Sequence, residues 1–426
     1  MTRQFTRIFQ VWCLLAITLL AGAFPAVAAE KITLQWMCTA TSEAQYAPIW
    51  KEMVAEFERL HPNIKIDVIM VARADNWTKF VTAARARQAP DIVGVVIPSA
   101  AADGYLLSLQ ELWDAEPESY RAVWPDGSLS SVRYEGELYG MPHYAGIYAE
   151  IYNKRMIKKA GLDPDSLPST WDEYLEWAKK LTGSGHWATA IMAGPTDTTT
   201  RALLSWIHSN GGRAFNEDLT ESTFAKDPKS LEAIKFYLNL ASRHKVTAPG
   251  PATLNYNEQT ILFAQEKIAT MRNAYWGIAK VLGDNPSLKD EILVGMPPIN
   301  SDKYTTVAQV TPVSISVNTK HPKEAWEFVK FMLEPKWAVQ MVLMANWMPL
   351  RSDLMEMPEV KNDSIVQTYL KIGERAMTVP LPVAAWTQIS TIDVVNAVQQ
   401  ALQEPDRVEE IFRELDELVT ERLNEE

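Results

Sequence analysis

Apolar positions along the chain follow two rhythms, and their alternation lays out the first part of the fold. Residues 32–36 (ITLQW) have the β-branched and aromatic make-up of a buried strand. Trp50, Met53, Val54, Phe57 and Leu60 then recur at three- and four-residue steps, which gives a helix one apolar face. Pro48 suits the first turn of that helix, while Ser42 and Gln45 stand at capping-box spacing, so its start is open between the two. After His61-Pro62-Asn63 come a strand at 64–71, a helix at 76–88 and a continuous apolar run at 92–97 that reads as a buried parallel strand. This βαβαβ order predicts a parallel sheet with helices on its faces. Ligands of such sheets sit beyond the carboxyl ends of the strands, so 36–43, 73–76 and 98–102 are expected to form one wall of a cleft. Free backbone N–H groups beside 41–46 would receive a hydroxyl or an anion there.

Residues 134–154 (YEGELYGMPHYAGIYAEIYNK) form two tyrosine-rich halves joined by Pro-His-Tyr-Ala-Gly, where the chain is expected to leave one lobe for another. Thr170 and Glu173 then stand at capping-box spacing before Tyr174, Leu175, Ala178 and Leu181 on one helical face. Further helices are expected at 199–209, 231–244, 257–265, 326–332, 386–402 and 406–423, with strands at 188–192, 268–271, 292–294 and 313–317. A second α/β lobe follows from this second series, without internal repeats.

Composition changes the picture at the N-terminus. Arg3 and Arg7 precede the apolar run 11–20, and small residues follow up to Ala26-Val27-Ala28. That is the pattern of a signal peptide (1–29) cut after Ala28 or Ala29, and the run is too short to span a membrane. Cys13 lies inside the run and not at the cleavage point, so the exported chain is expected to be soluble, with no lipid anchor. Only Cys38 then remains of two cysteines, which leaves no intrachain disulfide. The net charge of −12 argues against nucleic acid and anionic membrane surfaces as partners. A mature chain near 400 residues is more than one comfortable core holds, which suggests two domains.

Catalytic signatures are missing from the pattern. The six histidines form no metal-ligand spacing, and there is no G-x-S-x-G elbow or phosphate-cradling loop. Gly183 to Ala188 matches G-x-G-x-x-A by letter but follows a helix, which makes it a helix end. Glu135 and Glu137 read as a polar turn. Asn76-Trp77-Thr78 and Asn362-Asp363-Ser364 are glycan sequons. Among fifteen tryptophans, 50, 171, 177, 206 and 326 fit helix cores, whereas Trp276, Trp347 and Trp386 stand beside Asn, Pro or Gly punctuation. Flat aromatic faces of that kind suit sugar rings, with a few polar groups for the hydroxyls.

Several motifs in order resemble the extracellular solute-binding proteins of ABC importers, in the carbohydrate-binding family that includes maltose-binding protein. They are Tyr134-x-Gly136-x-Leu138-Tyr139-Gly140-Met141-Pro142, Ile151-Tyr152-Asn153-Lys154, Ala160-Gly161-Leu162 and Pro168-x-Thr170-Trp171-Asp172-Glu173. Pro90-Asp91-Ile92-Val93, Gly211-Gly212 and Glu324-Ala325-Trp326-Glu327-Phe328 also match. The resemblance covers almost the whole mature chain. It implies an α/β fold of type II periplasmic binding proteins: two lobes and a hinge of three chain crossings, near 142–148, 296–300 and 334–335. On that reading lobe 1 begins with 30–141, 142–148 is hinge, 149–295 opens lobe 2, 296–334 returns to lobe 1, and 335–426 belongs mainly to lobe 2.

The same resemblance maps a family signature onto Phe263, Glu266, Ala269, Thr270, Asn273 and Trp276, with Glu266 in place of glycine and Thr270 in place of methionine. It places Arg201 where relatives carry a stacking aromatic, and Gly146 where some carry a ligand-binding carboxylate. Expected ligand contacts are Thr41, Ser42, Glu43 and Asp75 from the first lobe, and Tyr144, Tyr148, Arg201, Asn273, Tyr275, Trp276 and Trp386 from the hinge and second lobe. The implied protein is a monomeric periplasmic binder, without cofactor or metal, that hands a sugar or sugar-like solute to a membrane-embedded ABC permease. Two rivals stay open: an iron or anion binder using Tyr144 and Tyr148, and an exported carbohydrate-acting hydrolase.

Overall fold

In the computed structural model, β1 (Ile32–Cys38), β2 (Ile64–Met70) and β3 (Ile92–Val93) pair in parallel in the order β3-β1-β2. The model describes residues 31–42, 46–72, 75–301, 306–345 and 348–425. The expected signal peptide, Glu43, Arg73 and Trp347 lie outside the described residues. The third strand is shorter than expected. It ends at Val93, and Pro98 sits in the first turn of a helix, Ile97–Ala102, where its missing N–H costs nothing. Residues 94–96 are left as an open crossing between strand and helix.

β4 (Arg133–Tyr134) and β5 (Glu137–Leu138) form a hairpin whose turn holds Glu135 and Gly136 at positive φ (48° and 85°), so this acidic pair is a tight turn. β6 (Met141–Ile147) belongs to the larger sheet, and β7 (Ala149–Asn153) belongs to a second one. Only Tyr148 separates them, and its N–H donates to Val307 O at 3.0 Å. β7 lies between β8 (Thr270–Asn273) and β9 (Ile292–Gly295), antiparallel to both. The expected strand at 188–192 is extended chain held by single parallel bridges, Trp187 to Ile268 and Thr189 to Thr247. β10 (Thr306–Ile315) returns to the larger sheet, antiparallel to β3 and β6 and parallel to β11 (Ala376–Val379). The β10–β6 register shifts between Thr311 and Pro312, a bulge at a proline that cannot donate to the ladder.

Two aromatic clusters fill the two lobes. Trp36 and Phe57 each meet the Phe328 ring edge-on, at 5.6 and 4.9 Å, which fastens the Ala47–Leu60 and Pro322–Met332 helices to the larger sheet. Pro48 in the first turn settles where the former begins; Tyr46 at its N-cap makes no side-chain cap. In the second lobe Trp171 stacks on Phe236 at 4.5 Å, and the Arg272 guanidinium lies 3.7 Å over Trp206. Arg272 also donates to Glu150 at 3.0 Å, with both side chains buried. Burial raises the Glu150 carboxyl above its ordinary range while Arg272 opposes that rise. The expected capping box is present: Glu173 N–H donates to Thr170 Oγ1 at 3.3 Å, and Thr170 N–H donates to Glu173 Oε2 at 3.2 Å.

The chain after Pro335, expected mainly in lobe 2, makes contacts on both sides. Met348 exchanges backbone bonds with Ala145, Ser352 N–H donates to Val123 O, and β11 extends the larger sheet. Helices Val394–Gln403 and Val408–Asn424 pack in the second lobe. The single helix expected over 386–402 is interrupted. Trp386–Gln388 leads into a π-helical turn, Ile389–Asp393, before the α-helix resumes.

Candidate functional site

The carboxyl ends of β1 and β3 open onto a cavity of about 450 Å³, within the range of small-molecule sites. The larger sheet and its loops supply Thr39, Asn76, Trp77 and Thr78, the open crossing 94–96, and residues 309–312 around the bulge in β10. Facing them are Pro195, Thr196 and Asp197 at the start of the helix Asp197–Ser209, Thr387, and residues 390–392 of the π-helical turn. Two backbone irregularities thus sit on opposite walls. Each departs from a regular ladder at the place where side chains must be aimed inward.

The described lining mixes hydroxyls and amides with apolar side chains and is almost uncharged. Asn76 Nδ2 donates to Gly94 O at 2.8 Å, which fixes the amide and leaves Oδ1 without a partner. Gln309 Oε1 is also buried and unpartnered. Thr200 Oγ1 donates to Ser390 O at 2.6 Å and Thr391 Oγ1 to Thr387 O at 2.7 Å, so the π-helical turn is held from both sides. Thr387 is in turn tied across the cleft, its N–H and hydroxyl both meeting Ser99 Oγ, at 3.2 and 2.9 Å.

Of the expected wall, Thr39 and Asn76 do line the cavity, while 98–101 are buried in a helix outside its lining. The expected contact residues that are described lie outside the lining of this cavity. Thr41 is buried with its hydroxyl donated to Cys38 O at 2.6 Å, where it stops β1 and borders a small apolar gap beside Trp36 and Trp50. Ser42 closes the same short 3-10 turn. Asp75 is exposed and pairs with Lys79 at 3.2 Å. Asn273 is buried against Gln259, whose Oε1 accepts from its Nδ2 at 3.1 Å. Tyr275 stacks on Tyr369 at 5.1 Å, and Trp386 packs at 6.2 Å from Phe215. Tyr148 is buried at the sheet-to-sheet step.

Tyr144 and Trp276 do come together, ring edge to face at 6.2 Å, and Trp276 is only 8% exposed. Its ring lies directly on Gly146: a Cβ there would come within 1.8 Å of Trp276 Cη2. The indole occupies the space that any side chain at position 146 would need, which explains the glycine. Arg201 is 4% exposed and its Nη2 donates to Asp197 Oδ1 at 3.0 Å. It is Asp197 that reaches the cavity; the guanidinium lies behind it. His143, on the same strand as Tyr144, is held down to about 4 by desolvation, although part of its surface stays open.

Sequence reasoning missed Trp77, Thr78, Asp197, Gln309, Thr311, Ser390 and Thr391. Gln309 and Thr311 stand two apart in β10 and so share one face of it between Val307, Val310 and Val313, a signal that polar side chains face a cavity. Trp77 and Thr78 stood out only as part of a sequon. Nothing in 389–393 announces a π-helical turn.

The sequence model of the bacterial extracellular solute-binding proteins matches residues 40–339. The chain belongs to that family. Its likeness to individual members is distant but long. A chain of Brucella abortus (strain 2308) named only as a binding protein is 23% identical over 382 residues, 87% of this chain and 90% of that one. The maltotriose-binding protein of Pyrococcus abyssi is 25% identical over 303 residues, covering 69% of this chain and 62% of its own length. Among solved structures, an ABC transporter solute-binding protein of Thermotoga lettingae bound to α-D-tagatose superposes with a TM-score of 0.84 at 24% identity, over 92% of this chain and 100% of that one. The fold is therefore the two-lobed type II architecture of the family, and membership implies a secreted or periplasmic location.

Proposed function

We propose that this solute-binding protein captures a sugar or sugar-like solute in the cavity between its lobes and delivers it to a membrane-embedded ABC permease, without chemical turnover. One observation carries the reading: a cavity of about 450 Å³ is lined from both lobes by amides and hydroxyls, with the Trp77 ring beside them. The sugars named for the relatives from Pyrococcus abyssi and Thermotoga lettingae support it. Export through residues 1–29 to the periplasm, as a soluble monomer that does not bind nucleic acid, belongs to the same proposal.

Ligand binding then works by closure. A solute held by one wall is met by the other, and its greater affinity for the closed form shifts the population. We place the crossings at Tyr148 between β6 and β7, between β9 and β10, and along the stretch after β11, where the chain returns to the second lobe. Calorimetry against neutral sugars, polyols, sugar acids and sugar phosphates tests the reading. Saturable binding without turnover of the ligand is expected; hydrolysis of a bound sugar by purified protein, or no binding across the panel, refutes it.

A further inference from the structure

The charge and hydrogen-bonding balance of the cavity specifies more than its size does. Among its described lining residues Asp197 is the only ionisable one, and none of them is Lys, Arg or His. Asp197 Oδ1 accepts from Arg201 Nη2 at 3.0 Å; no other bond of that carboxylate is present among the described residues, and its side chain is 33% exposed. The first turn of a helix is a favourable place for a carboxylate, since the helix dipole presents its positive end there. Arg201 is buried behind it and fixes the rotamer. One carboxylate oxygen is thereby committed to Arg201, and the other, on a side chain that lines the cavity, has no bond among the described residues.

The other unpartnered atoms among the described lining residues have the same sense, while the unpartnered Nε and Nη1 of Arg201 belong to a side chain outside that lining. Asn76 Oδ1 and Gln309 Oε1 are buried acceptors without donors, and the Asn76 amide is locked in that orientation by its bond to Gly94 O. Three acceptors, one of them charged, call for a ligand that donates. Hydroxyl groups do so; carboxylates and phosphates only accept and would set a second negative charge beside Asp197. Because Arg201 already balances Asp197, a cationic ligand is not required either.

We propose that the cavity selects an uncharged, hydroxyl-rich ligand over its carboxylate or phosphate counterparts, with Asp197 as the charged acceptor and Arg201 as the residue that positions it. This inference rests on the sugar-binding reading and adds the charge class of the ligand and the residue that enforces it.

The test is calorimetry of the exported chain against neutral sugars and polyols, each matched with its uronic acid and its phosphate ester. The expected result is that the members that bind are neutral, with matched anions at least about tenfold weaker. Asp197→Asn is expected to weaken the neutral ligand by about tenfold, the usual size of a lost charged hydrogen bond, and to narrow the gap to the matched acid. Loss of selectivity is a readout that mere unfolding cannot give, and the melting midpoint of the unliganded variant reports its fold. Arg201→Lys should retain more of the selectivity than Arg201→Met. An anion that binds more tightly than its neutral match, or unchanged selectivity in Asp197→Asn, overturns this inference and leaves the sugar-binding reading standing. Absence of binding by every member, neutral or anionic, removes both.

Discussion

Gly146 shows how much one missing methyl group decides. It faces Gln309 across the β10–β6 ladder, and the Trp276 indole rests on its backbone. A methyl group there would have to displace a ring that is itself wedged against Tyr144. Gly146→Ala is therefore expected to cost about 1–3 kcal/mol, the usual range for overpacking a filled site, read as a lower urea midpoint. An unchanged midpoint would mean that the indole can move aside freely. The residue scale is also where sequence reading reached least far. Trp276 and Arg201 are both notable positions, yet the side chains that reach the cavity are their neighbours in space: Gln309 beside Gly146, and Asp197 one helical turn before Arg201. Position in a motif indicates which turn of the chain matters, but packing decides which side chain on that turn points inward.

Elements were more legible, wherever their ends are set by local chemistry. Thr170 and Glu173 announced a helix start, and Pro48 fixed another, because a cap or a proline acts within one turn. β3 was overestimated because an apolar run does not reveal that a proline helix begins four residues after its last paired residue. Long-range capping was invisible for the same reason. Asp416, buried on the C-terminal helix Val408–Asn424, accepts from Ser222 Oγ at 2.6 Å and from the N–H groups of Phe224, Ala225 and Lys226 at 2.7, 2.8 and 3.1 Å. A carboxylate nearly two hundred residues away closes a turn that has no local cap. Asp416→Ala leaves these donors unmet in the interior and is expected to lower the unfolding free energy by about 3 kcal/mol. Denaturant unfolding measures it, and a loss under about 1 kcal/mol would show that water can replace the carboxylate.

At the scale of the whole molecule, stability should fall on the acid side for a reason that can be located. His208 is buried in the second lobe with Nδ1 against Gly212 O at 3.2 Å, and desolvation, aided by Arg213, holds it down to about 4. The unfolded chain binds that proton near pH 6.5. Between these values the unfolded state carries a proton that the folded state refuses, so the stabilisation is complete above about pH 6.5 and is lost as pH drops toward 4. The loss amounts to up to about 3 kcal/mol for His208; His143 adds a smaller share because it keeps some contact with solvent. Urea midpoints measured from pH 7 to 4 should fall less steeply in His208→Gln than in the parent chain. Parallel curves would locate the acid sensitivity in carboxylates instead. At this scale the sequence was most readable: two lobes and a parallel βαβαβ start follow from patterns that span many residues and survive local errors, whereas strand β6 running to Ile147 and the step at Tyr148 were not legible in the stretch expected as a hinge over 142–148.

The π-helical turn Ile389–Asp393 has one consequence that concerns chain length more than residue identity. It holds one residue more than an α-helical turn would, while the flanking helix Val394–Gln403 stays anchored in its own lobe. Removing a single residue from the turn would restore regular winding. Ser390, Thr391 and Ile392 would be retracted from the cavity wall, and the bonds of the turn to Thr200 and Arg422 would have to re-form around the new winding. The length of this one turn, apart from the identity of any side chain in it, thus sets how far one wall of the site reaches inward.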